Sequence, residues 1–471
     1  MKSMQTEWLQ EFIADWLEYG DSSALLGPDH QTLGLRYETL ADIGTLGVAA
    51  QTVVKYFSLE EGDVVLLNDP YSGGSTLSMM TFVVGLAGGF SWVVRTGFRP
   101  KLVMSKKLEE EGLRIPPTPL VQKFEMNQLI AEAIYSHPQC PPTMKQRLNS
   151  LIPEILQKVR TWSLLQNSRS QLLKSSNLSD YLQASRAYLE ALLSEVAQGE
   201  SKVEMKLETG EVIKLKLSLK NQQLSVDFSG TGPSQRICLT DSATIGACFG
   251  AFKAFLKTEI PVNSATLEYL EVTTPLGCLL NSKYPSPTFR GMTEGCAMVA
   301  STVIQGLCEI MPHRKINLGA SSPLMLSLEF KNQQSFFDVL PSGVSASSLG
   351  DGSDALHFWT RNRLQNSVEE IERRFPIRIH HVGIRAQSGG KGKFRGGDGV
   401  IKEYELLEEA QLNWILPSNK IAGKAGLSGQ GAEIILIENG KTRTSLDQIE
   451  GHKKISKGSR LIVSSAGGHG F

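Results

Sequence analysis

The sequence is poor in the features that mark several classes of protein. It has six cysteines in 471 residues and none of them are spaced as Cys-x-x-Cys, so neither a disulfide framework nor a cysteine zinc site is expected. It has no run of 18 apolar residues, and its amino-terminal segment lacks the basic start and apolar core of a signal peptide. We therefore predict reduced cysteines, no membrane span and a cytoplasmic protein.

An excess of charge of one sign is also absent, because 48 Lys and Arg residues balance 48 Asp and Glu residues. Without a global positive field, neither nucleic acid nor an anionic membrane surface is expected as a partner. A hydrophobic content of 41% and 44 glycines are instead typical of a loop-rich globular protein. The length predicts about two or three lobes.

Hydrophobic patterning changes several times along the chain, which predicts a multi-lobed α+β architecture with mixed and antiparallel sheets. Apolar residues alternate through 203–228, as in antiparallel strands with one wet face. Two apolar helices are predicted near 243–256 and 292–310. We divide the chain into four segments: an amino-terminal α+β lobe (1–119), a helical segment (120–200), a β-meander with helices (201–345) and a glycine-rich β lobe (346–471).

The most informative segment is a Pro- and Gly-rich turn predicted between two apolar strands. Its sequence is Asn68-Asp69-Pro70-Tyr71-Ser72-Gly73-Gly74-Ser75-Thr76-Leu77-Ser78-Met79. Such a turn places a carboxylate and free backbone N–H groups at the rim of a sheet, where sites are often built. We therefore take Asp69 as a candidate catalytic residue, and Asn68, Gly73 and Gly74 as candidate substrate-binding residues.

This turn resembles the hydantoinase B family, which includes the C-terminal half of 5-oxoprolinase and the α subunit of acetone carboxylase. Members typically have Asn-Asp-Pro-Tyr-x-Gly-Gly-Thr-His-Leu-Pro-Asp there. Similarity extends over about residues 42–470, and six further stretches carry it: 111–117, 227–231, 260–263, 275–281, 388–399 and 467–470. Each stretch is weak alone, but together and in the same order they identify the chain, by resemblance, as a member of the family.

The chain departs from the family where relatives are thought to bind a divalent metal. Six replacements are found there: Asp42 for His, Thr76 for His, Met79 for Asp, and Gly97, Phe98 and Pro100 for His, His and Asp. Hydroxyl, thioether and phenyl groups do not replace imidazole and carboxylate ligands of a hard dication. The resemblance therefore implies that the family's metal site has been lost, and we predict no metal ligands.

The resemblance implies ATP-dependent opening of a cyclic amide such as a hydantoin or 5-oxoproline. In this family an A-type partner is thought to phosphorylate the carbonyl oxygen, and the B-type chain then delivers water. The sequence contains neither a Gly-x-x-x-x-Gly-Lys-Ser/Thr motif nor a complete dinucleotide fingerprint. ATP and Mg²⁺ are therefore expected on an A-type subunit, and a homo-oligomer is left open. A catalytically silent paralogue with a scaffold or regulatory role is the alternative, and a divergent metal-free enzyme lies between the two.

Further candidates come from positions that match the family. Glu294 and His357 are candidate catalytic residues, and Asn362 is a candidate substrate-binding residue. Lys391 and Arg395 lie in the glycine-rich stretch and are candidates for contacting a phosphorylated intermediate. Each has a structural alternative: a helix-start glutamate for Glu294, a capped turn before a helix for His357 and Asn362, and a system of tight turns for the glycines.

Overall fold

The computed structural model describes residues 2–98, 102, 105–169, 173–206, 210–256, 259–316, 323–331, 334–357, 365–417, 427–438 and 440–471, without the side chains of 2–6 and 169. The chain divides into two compact units. The first comprises Met1–Phe98, Ser105–Glu200 and Leu215–Cys296, and the second comprises Arg99–Met104, Ser201–Lys214 and Ala297–Phe471. The division into four segments made from the sequence stays a prediction.

The first unit contains a seven-stranded sheet whose described pairings are antiparallel. Its strand order is β2-β1-β5-β4-β3-β6-β7. The strands are β1 (Ser22–Leu26), β2 (Thr32–Arg36), β3 (Val64–Leu67), β4 (Met79–Gly85), β5 (Ser91–Gly97), β6 (Thr118–Gln122) and β7 (Glu125–Met126). Strand β3 is buried at every residue because both faces of the sheet are covered. Val64 and Leu66 face one hydrophobic core, and Val65 and Leu67 face another.

Helices of the first unit cover the two faces of this sheet. One face packs on α1 (Lys2–Leu17), α4 (Met144–Arg169) and α5 (Ser175–Ser194), and the other packs on α2 (Leu40–Tyr56). The remaining helices that lie within this unit are α3 (Gln128–Tyr135), α6 (Asp241–Leu256) and α7 (Ser264–Leu267). The helix α8 (Cys296–Ile310) follows a π-helical turn at Gly291–Gly295.

Helices α2 and α6 cross in backbone contact through glycine. A Cβ atom on Gly44 would lie 1.8 Å from the carbonyl oxygen of Ser242, and one on Gly246 would lie 2.4 Å from that of Leu40. Real Cβ atoms do not approach backbone this closely, so these helices can cross only where both carry glycine. The crossing fixes the position of α2 in the first unit.

A second sheet has the order β11-β10-β9-β8. Its strands are β8 (Gly199–Lys206), β9 (Val212–Lys220), β10 (Gln223–Asp227) and β11 (Leu270–Thr273). Strand β10 pairs antiparallel with β9 and parallel with β11, which makes the sheet mixed. Buried and more exposed residues alternate along β8 and β9, as the apolar alternation of the sequence predicts.

The second unit contains two further sheets, which share one hydrophobic core. The first has the order β13-β12-β16-β19, with β12 (Leu324–Phe330), β13 (Ser335–Leu340), β16 (Ala410–Ile415) and β19 (Glu450–Ile455). The other has the order β14-β15-β20-β17-β18, with β14 (Ile377–Arg385), β15 (Gly399–Leu406), β17 (Glu433–Glu438), β18 (Thr442–Ser445) and β20 (Arg460–Ser464). Helix α9 (Val368–Arg374) packs on β14. The predicted α+β class with mixed and antiparallel sheets is confirmed. None of the helices in the described ranges is both long and apolar enough to cross a bilayer.

Candidate active site

The turn that follows β3 is held in place by the side chain of Asn68, which is completely buried. Its amide nitrogen donates to the carbonyl oxygens of Leu77 and Leu113, both at 2.8 Å, and its amide oxygen accepts from the N–H of Ile115 at 2.6 Å. These three bonds join the two ends of the turn to the 113–115 segment. Asn68 therefore has a structural task in addition to any contact with substrate.

Asp69 is 2% exposed and caps the short helical turn Pro70–Ser72. One carboxylate oxygen accepts from the N–H of Tyr71 at 3.2 Å. The other accepts from the Ser72 hydroxyl and from Nη2 of Arg114, both at 2.8 Å. The carboxylate is thus oriented by its own turn and paired with a cation from the 105–114 segment.

Gly73 and Gly74 allow the turn to lie directly against helix α2 and against itself. Gly73 has φ of +92°, and a Cβ atom there would lie 2.3 Å from the backbone nitrogen of Ala49 in α2. A Cβ atom on Gly74 would lie 2.3 Å from the carbonyl oxygen of Asn68. The pair is required by conformation and by space, and the carbonyl oxygen of Gly73 accepts from Arg95 at 2.7 Å.

Arg114 lies at the edge of this site with 32% of its side chain exposed. Its guanidinium carbon is 4.4 Å from the ring centre of Tyr284, and Tyr284 in turn donates its hydroxyl hydrogen to Glu109. The hydrogen bond with Asp69 raises the pKa of Arg114, so the guanidinium is firmly charged. Within the part of the chain that the structure describes, its buried Nε has no hydrogen-bond acceptor.

Two further titratable groups of the first unit, Tyr71 and Glu111, interact electrostatically with each other. The hydroxyl of Tyr71 donates to the carbonyl oxygen of Ser286 at 3.0 Å, and burial raises the pKa of Tyr71 to about 12. Burial raises the pKa of Glu111 to about 7, although hydrogen bonds from Ser105 and Phe289 oppose the shift. A carboxyl that titrates near neutrality is a usual sign of a functional position.

The described residues at the family's metal positions do not form a ligand set. The carboxylate of Asp42 is paired with the buried guanidinium of Arg95, and the hydroxyl of Thr76 is hydrogen-bonded to that of Ser78 at 2.9 Å. Phe98 is 2% exposed and lies beneath the guanidinium of Arg147. Among the described residues, no three His, Cys, Asp or Glu side chains are grouped closely enough to hold a metal ion; Pro100 lies outside those residues. A hydroxyl, a thioether and a phenyl ring do not suit a hard dication, so the donor set does not fit the metal.

Glu294 lies in the first unit, in the π-helical turn before α8, and is 3% exposed. Both its carboxylate oxygens accept from Arg290, at 3.0 Å from Nε and 2.9 Å from Nη2. This bidentate ion pair holds the side chain of Glu294 within its own turn. The geometry therefore favours a structural role, with Arg290 as the partner in addition to any effect of the helix dipole.

His357, Lys391 and Arg395 all lie in the second unit, and Asn362 lies outside the described residues. His357 Nε2 is 2.6 Å from the side-chain nitrogen of Gln365. Lys391 is exposed on the glycine-rich stretch. Arg395 is paired with two carboxylates, Asp354 at 2.9 Å and Asp398 at 3.4 Å, so much of its charge is already compensated.

Gln365 connects His357 to a buried charged cluster of the second unit. The amide oxygen of Gln365 accepts from Lys402, and Lys402 is paired with Asp338 at 2.7 Å. The hydroxyl of Tyr404 donates to the same carboxylate at 2.6 Å, and burial holds the pKa of Tyr404 well above its usual range.

The glycine-rich stretch 388–399 packs against the carboxyl-terminal glycines. Gly468 donates its N–H to the carbonyl oxygen of Gly397 at 2.9 Å and accepts from Gly390 at 2.8 Å. A Cβ atom on Gly468 would lie 2.1 Å from the carbonyl oxygen of Val344. These backbone N–H groups are occupied by protein carbonyls, which favours a system of tight turns over a phosphate cradle.

A model of the family described as hydantoinase B/oxoprolinase matches residues 12–471. The chain belongs to the hydantoinase B/oxoprolinase family. The family resemblance of the sequence motifs is thereby confirmed, and the turn that carries Asp69 lies within the matched region.

Relatives of this hydantoinase B/oxoprolinase chain are distant in sequence. It is 24% identical to an uncharacterized protein of Methanocaldococcus jannaschii, over 91% of this chain and 80% of that protein. It is 23% identical to the 5-oxoprolinase of Dictyostelium discoideum, over 96% of this chain but only 37% of that protein. Its fold is similar to the crystal structure of the ATP-dependent caprolactamase from Pseudomonas jessenii, with a TM-score of 0.84 and 19% identity, covering 100% of this chain and 90% of that one. The chain thus spans well under half the length of the 5-oxoprolinase.

Sequence reasoning did not identify Arg114, Glu111 or Tyr71 as site residues. All three lie inside stretches that match the family, at 68–79 and 111–117. The structure adds that these two stretches meet, through the bond between Arg114 and Asp69. The order of the motifs along the chain does not contain that information.

Proposed function

We propose that this chain is the B-type component of an ATP-dependent cyclic-amide hydrolase, acting on a hydantoin, 5-oxoproline or a related lactam. Family membership supports the proposal, as do two relatives whose names describe cyclic-amide hydrolysis, a 5-oxoprolinase and an ATP-dependent caprolactamase. Because the sequence contains no Gly-x-x-x-x-Gly-Lys-Ser/Thr motif, the proposal assigns ATP and Mg²⁺ to an A-type partner.

The observation that carries the proposal is the pair of Asp69 and Arg114 at the edge of the turn at residues 68–79, which we call the retained turn. An amide carbonyl is a poor electrophile. Phosphorylation of its oxygen by the partner makes the carbon more electrophilic, so that water can attack it. Guanidinium groups bind phosphate through planar, charge-assisted hydrogen bonds. Arg114 is held by Asp69 on one side and by Tyr284 on its face, and the 32% of its side chain that is exposed leaves the guanidinium edge to bind the phosphorylated oxygen. Asp69 fixes the guanidinium in that orientation.

The test is reconstitution with the A-type partner, with ADP release and the ring-opened product measured for 5-oxoproline, hydantoins and simple lactams. We expect product only when both chains are present. Asp69→Asn should reduce turnover by about 10²-fold, because the guanidinium loses its orienting charge at a site where electrostatic stabilisation dominates. Glu132→Gln, which alters an exposed carboxylate of the same unit, is the control and should leave turnover unchanged.

A second candidate function is that of a catalytically silent paralogue that keeps the scaffold for assembly or regulation. The donor set at the family's metal positions favours it, because Asp42 is committed to Arg95 and Thr76 to Ser78. If the partner opens the ring at the same rate alone, the enzyme proposal fails and this one stands. Co-purification of the two chains would then be its first test.

A further inference from the structure

The carboxyl group of Glu111 is fixed by hydrogen bonds from three residues, Ser105, Thr288 and Phe289. Its Oε1 accepts from the hydroxyl of Ser105 and from the N–H of Phe289, both at 2.9 Å. Its Oε2 has a long contact of 3.5 Å with the hydroxyl of Thr288. A carboxyl fixed in this way holds its less tightly bound oxygen, Oε2, in a defined position, where it can take up and release a proton.

Glu111 is connected to the pair of Arg114 and Asp69 through the 282–290 segment and through Tyr71. It lies three residues before Arg114 in the 105–114 segment. In the 282–290 segment, Phe289 donates its N–H to the carboxyl of Glu111, and the ring of Tyr284 packs against the guanidinium of Arg114. The carbonyl oxygen of Ser286, in the same segment, accepts from the hydroxyl of Tyr71. Two short segments therefore hold a cation, a phenol and a carboxyl around the retained turn.

We propose that Glu111 is the proton-transfer group of this site, taking a proton from the attacking water and returning it to the ring nitrogen. The inference rests on the proposed function and names the residue that would carry out its hydrolytic step. The donor set at the family's metal positions does not fit a dication, so a side chain has to accept the proton of the water.

As the water oxygen bonds to the phosphorylated carbon, Glu111 takes one proton and the C=N π electrons move to the ring nitrogen. Glu111 then gives that proton to the nitrogen, and the proton of the new hydroxyl follows by the same route. The C–N bond breaks, leaving a free amine and an acyl phosphate, which a second water hydrolyses to carboxylate and phosphate.

The charges around Glu111 suit this role. Burial raises the pKa of its carboxyl to about 7, and a general base is most effective when its pKa is close to the working pH. The titratable group that interacts with it electrostatically is Tyr71 on the retained turn, whereas the guanidinium of Arg114 is directed to Asp69 and Tyr284. Tyr71 is neutral near pH 7, since burial raises the pKa of its phenol to about 12.

The test is the pH profile of ring opening by the two-chain enzyme, measured for the parent, Glu111→Gln and Glu110→Gln. Glu110 is the matched control, because it is the neighbouring glutamate and its side chain is exposed. We expect the parent and Glu110→Gln to lose activity below about pH 7. Glu111→Gln should lose about 10²–10⁴-fold in kcat, keep its KM and show no acid limb near pH 7.

Ser105→Ala provides a second readout should Glu111→Gln fail to fold. Removing a hydrogen-bond donor that stabilises the carboxylate should move the acid limb of the profile to higher pH. Parent-like profiles in the variants of Glu111 and Ser105, with ring opening still dependent on this chain, would overturn the inference and leave the proposed function intact. Ring opening by the partner alone would instead overturn the proposed function, and the inference with it.

Discussion

The guanidinium of Arg95 lies inside the first unit against the carboxylate of Asp42, and the exposed fractions of the two side chains are 0% and 2%. The other nitrogens of Arg95 donate to Thr81 on β4, at 2.9 Å, and to the carbonyl oxygen of Gly73, at 2.7 Å. One side chain therefore joins strand β4, helix α2 and the retained turn. Because Arg95 occupies the carboxylate of Asp42, that carboxylate is not available to a metal ion.

Replacing Asp42 by Asn should destabilise the first unit strongly. The substitution leaves a buried guanidinium without its counter-charge, which costs about 3–5 kcal/mol in the free energy of unfolding. Urea unfolding followed by tryptophan fluorescence measures the effect. Glu132→Gln is the matched control, because its pair with Lys145 is exposed on both sides and contributes about 0–1 kcal/mol. If Asp42→Asn lowers the free energy of unfolding no more than the control does, the structural role given to the pair of Asp42 and Arg95 is contradicted.

The chain should not retain a divalent metal. After incubation with Mn²⁺, Zn²⁺ or Fe²⁺ and dialysis, elemental analysis should give well below one equivalent per chain, because the donor set contains a hydroxyl, a thioether and a phenyl ring. A family member that keeps the His and Asp residues, treated in parallel, is the control. Stoichiometric metal surviving dialysis of this chain would show that other side chains supply the ligands.

Glu111 should make stability depend on pH in the direction opposite to that of a salt-bridged carboxylate. Its pKa rises from 4.5 to about 7 on folding, so the folded chain binds more protons than the unfolded chain between these values. Stability is therefore highest below pH 4.5, as far as this group is concerned, and falls as the pH rises through 7.

Glu111→Gln removes this contribution. The free energy of unfolding should fall less between pH 5 and pH 8 in the variant than in the parent, by about 2 kcal/mol after allowance for the partial exposure of the side chain. Unfolding curves at both pH values measure the difference, and Glu110→Gln should behave like the parent. Equal pH slopes in the parent and Glu111→Gln would mean that the carboxyl ionises as freely in the folded chain as in the unfolded one.

Gly468→Ala should destabilise the second unit, whereas Gly350→Ala should not. A Cβ atom at position 468 meets the carbonyl oxygen of Val344 at 2.1 Å, and one at position 350 meets no atom within 4 Å. Overpacking against backbone lowers the free energy of unfolding by about 1–3 kcal/mol. A substitution that meets no atom changes it by no more than about 0.5 kcal/mol. Thermal unfolding of both variants gives the comparison, and matching melting temperatures would argue against a tightly packed glycine cluster.

Much of the fold could be predicted from the sequence, because its signals are local. Apolar alternation gave β9 (Val212–Lys220), and the apolar helices predicted near 243–256 and 292–310 correspond to α6 (Asp241–Leu256) and α8 (Cys296–Ile310). The start of α8 differs, because residues 291–295 form a π-helical turn. Its buried pair of Arg290 and Glu294 depends on that local geometry.

The candidate site was predictable only where a motif carries it. Asp69 was identified by its turn, but its partner Arg114 is 45 residues away in the chain, and sequence spacing does not show which segments meet. Glu111 could not be recognised because its raised pKa is a result of burial in the folded chain, where its hydrogen-bond donor Phe289 comes from 178 residues away. The glycines at 388–399 allowed two interpretations, and only their contacts with the carboxyl terminus distinguish them.

The contact of Gly44 with Gly246 limits how the first unit can respond to a ligand. Two helices whose backbones touch have no room to slide or to rotate about each other, so α2 cannot serve as a moving gate. Any adjustment to a ligand beside Asp69 would therefore fall on the 105–114 and 282–290 segments, which carry Arg114 and the ring of Tyr284 that packs on it. The orientations of Arg114 and Glu111 would then change together, because the 282–290 segment contacts both side chains.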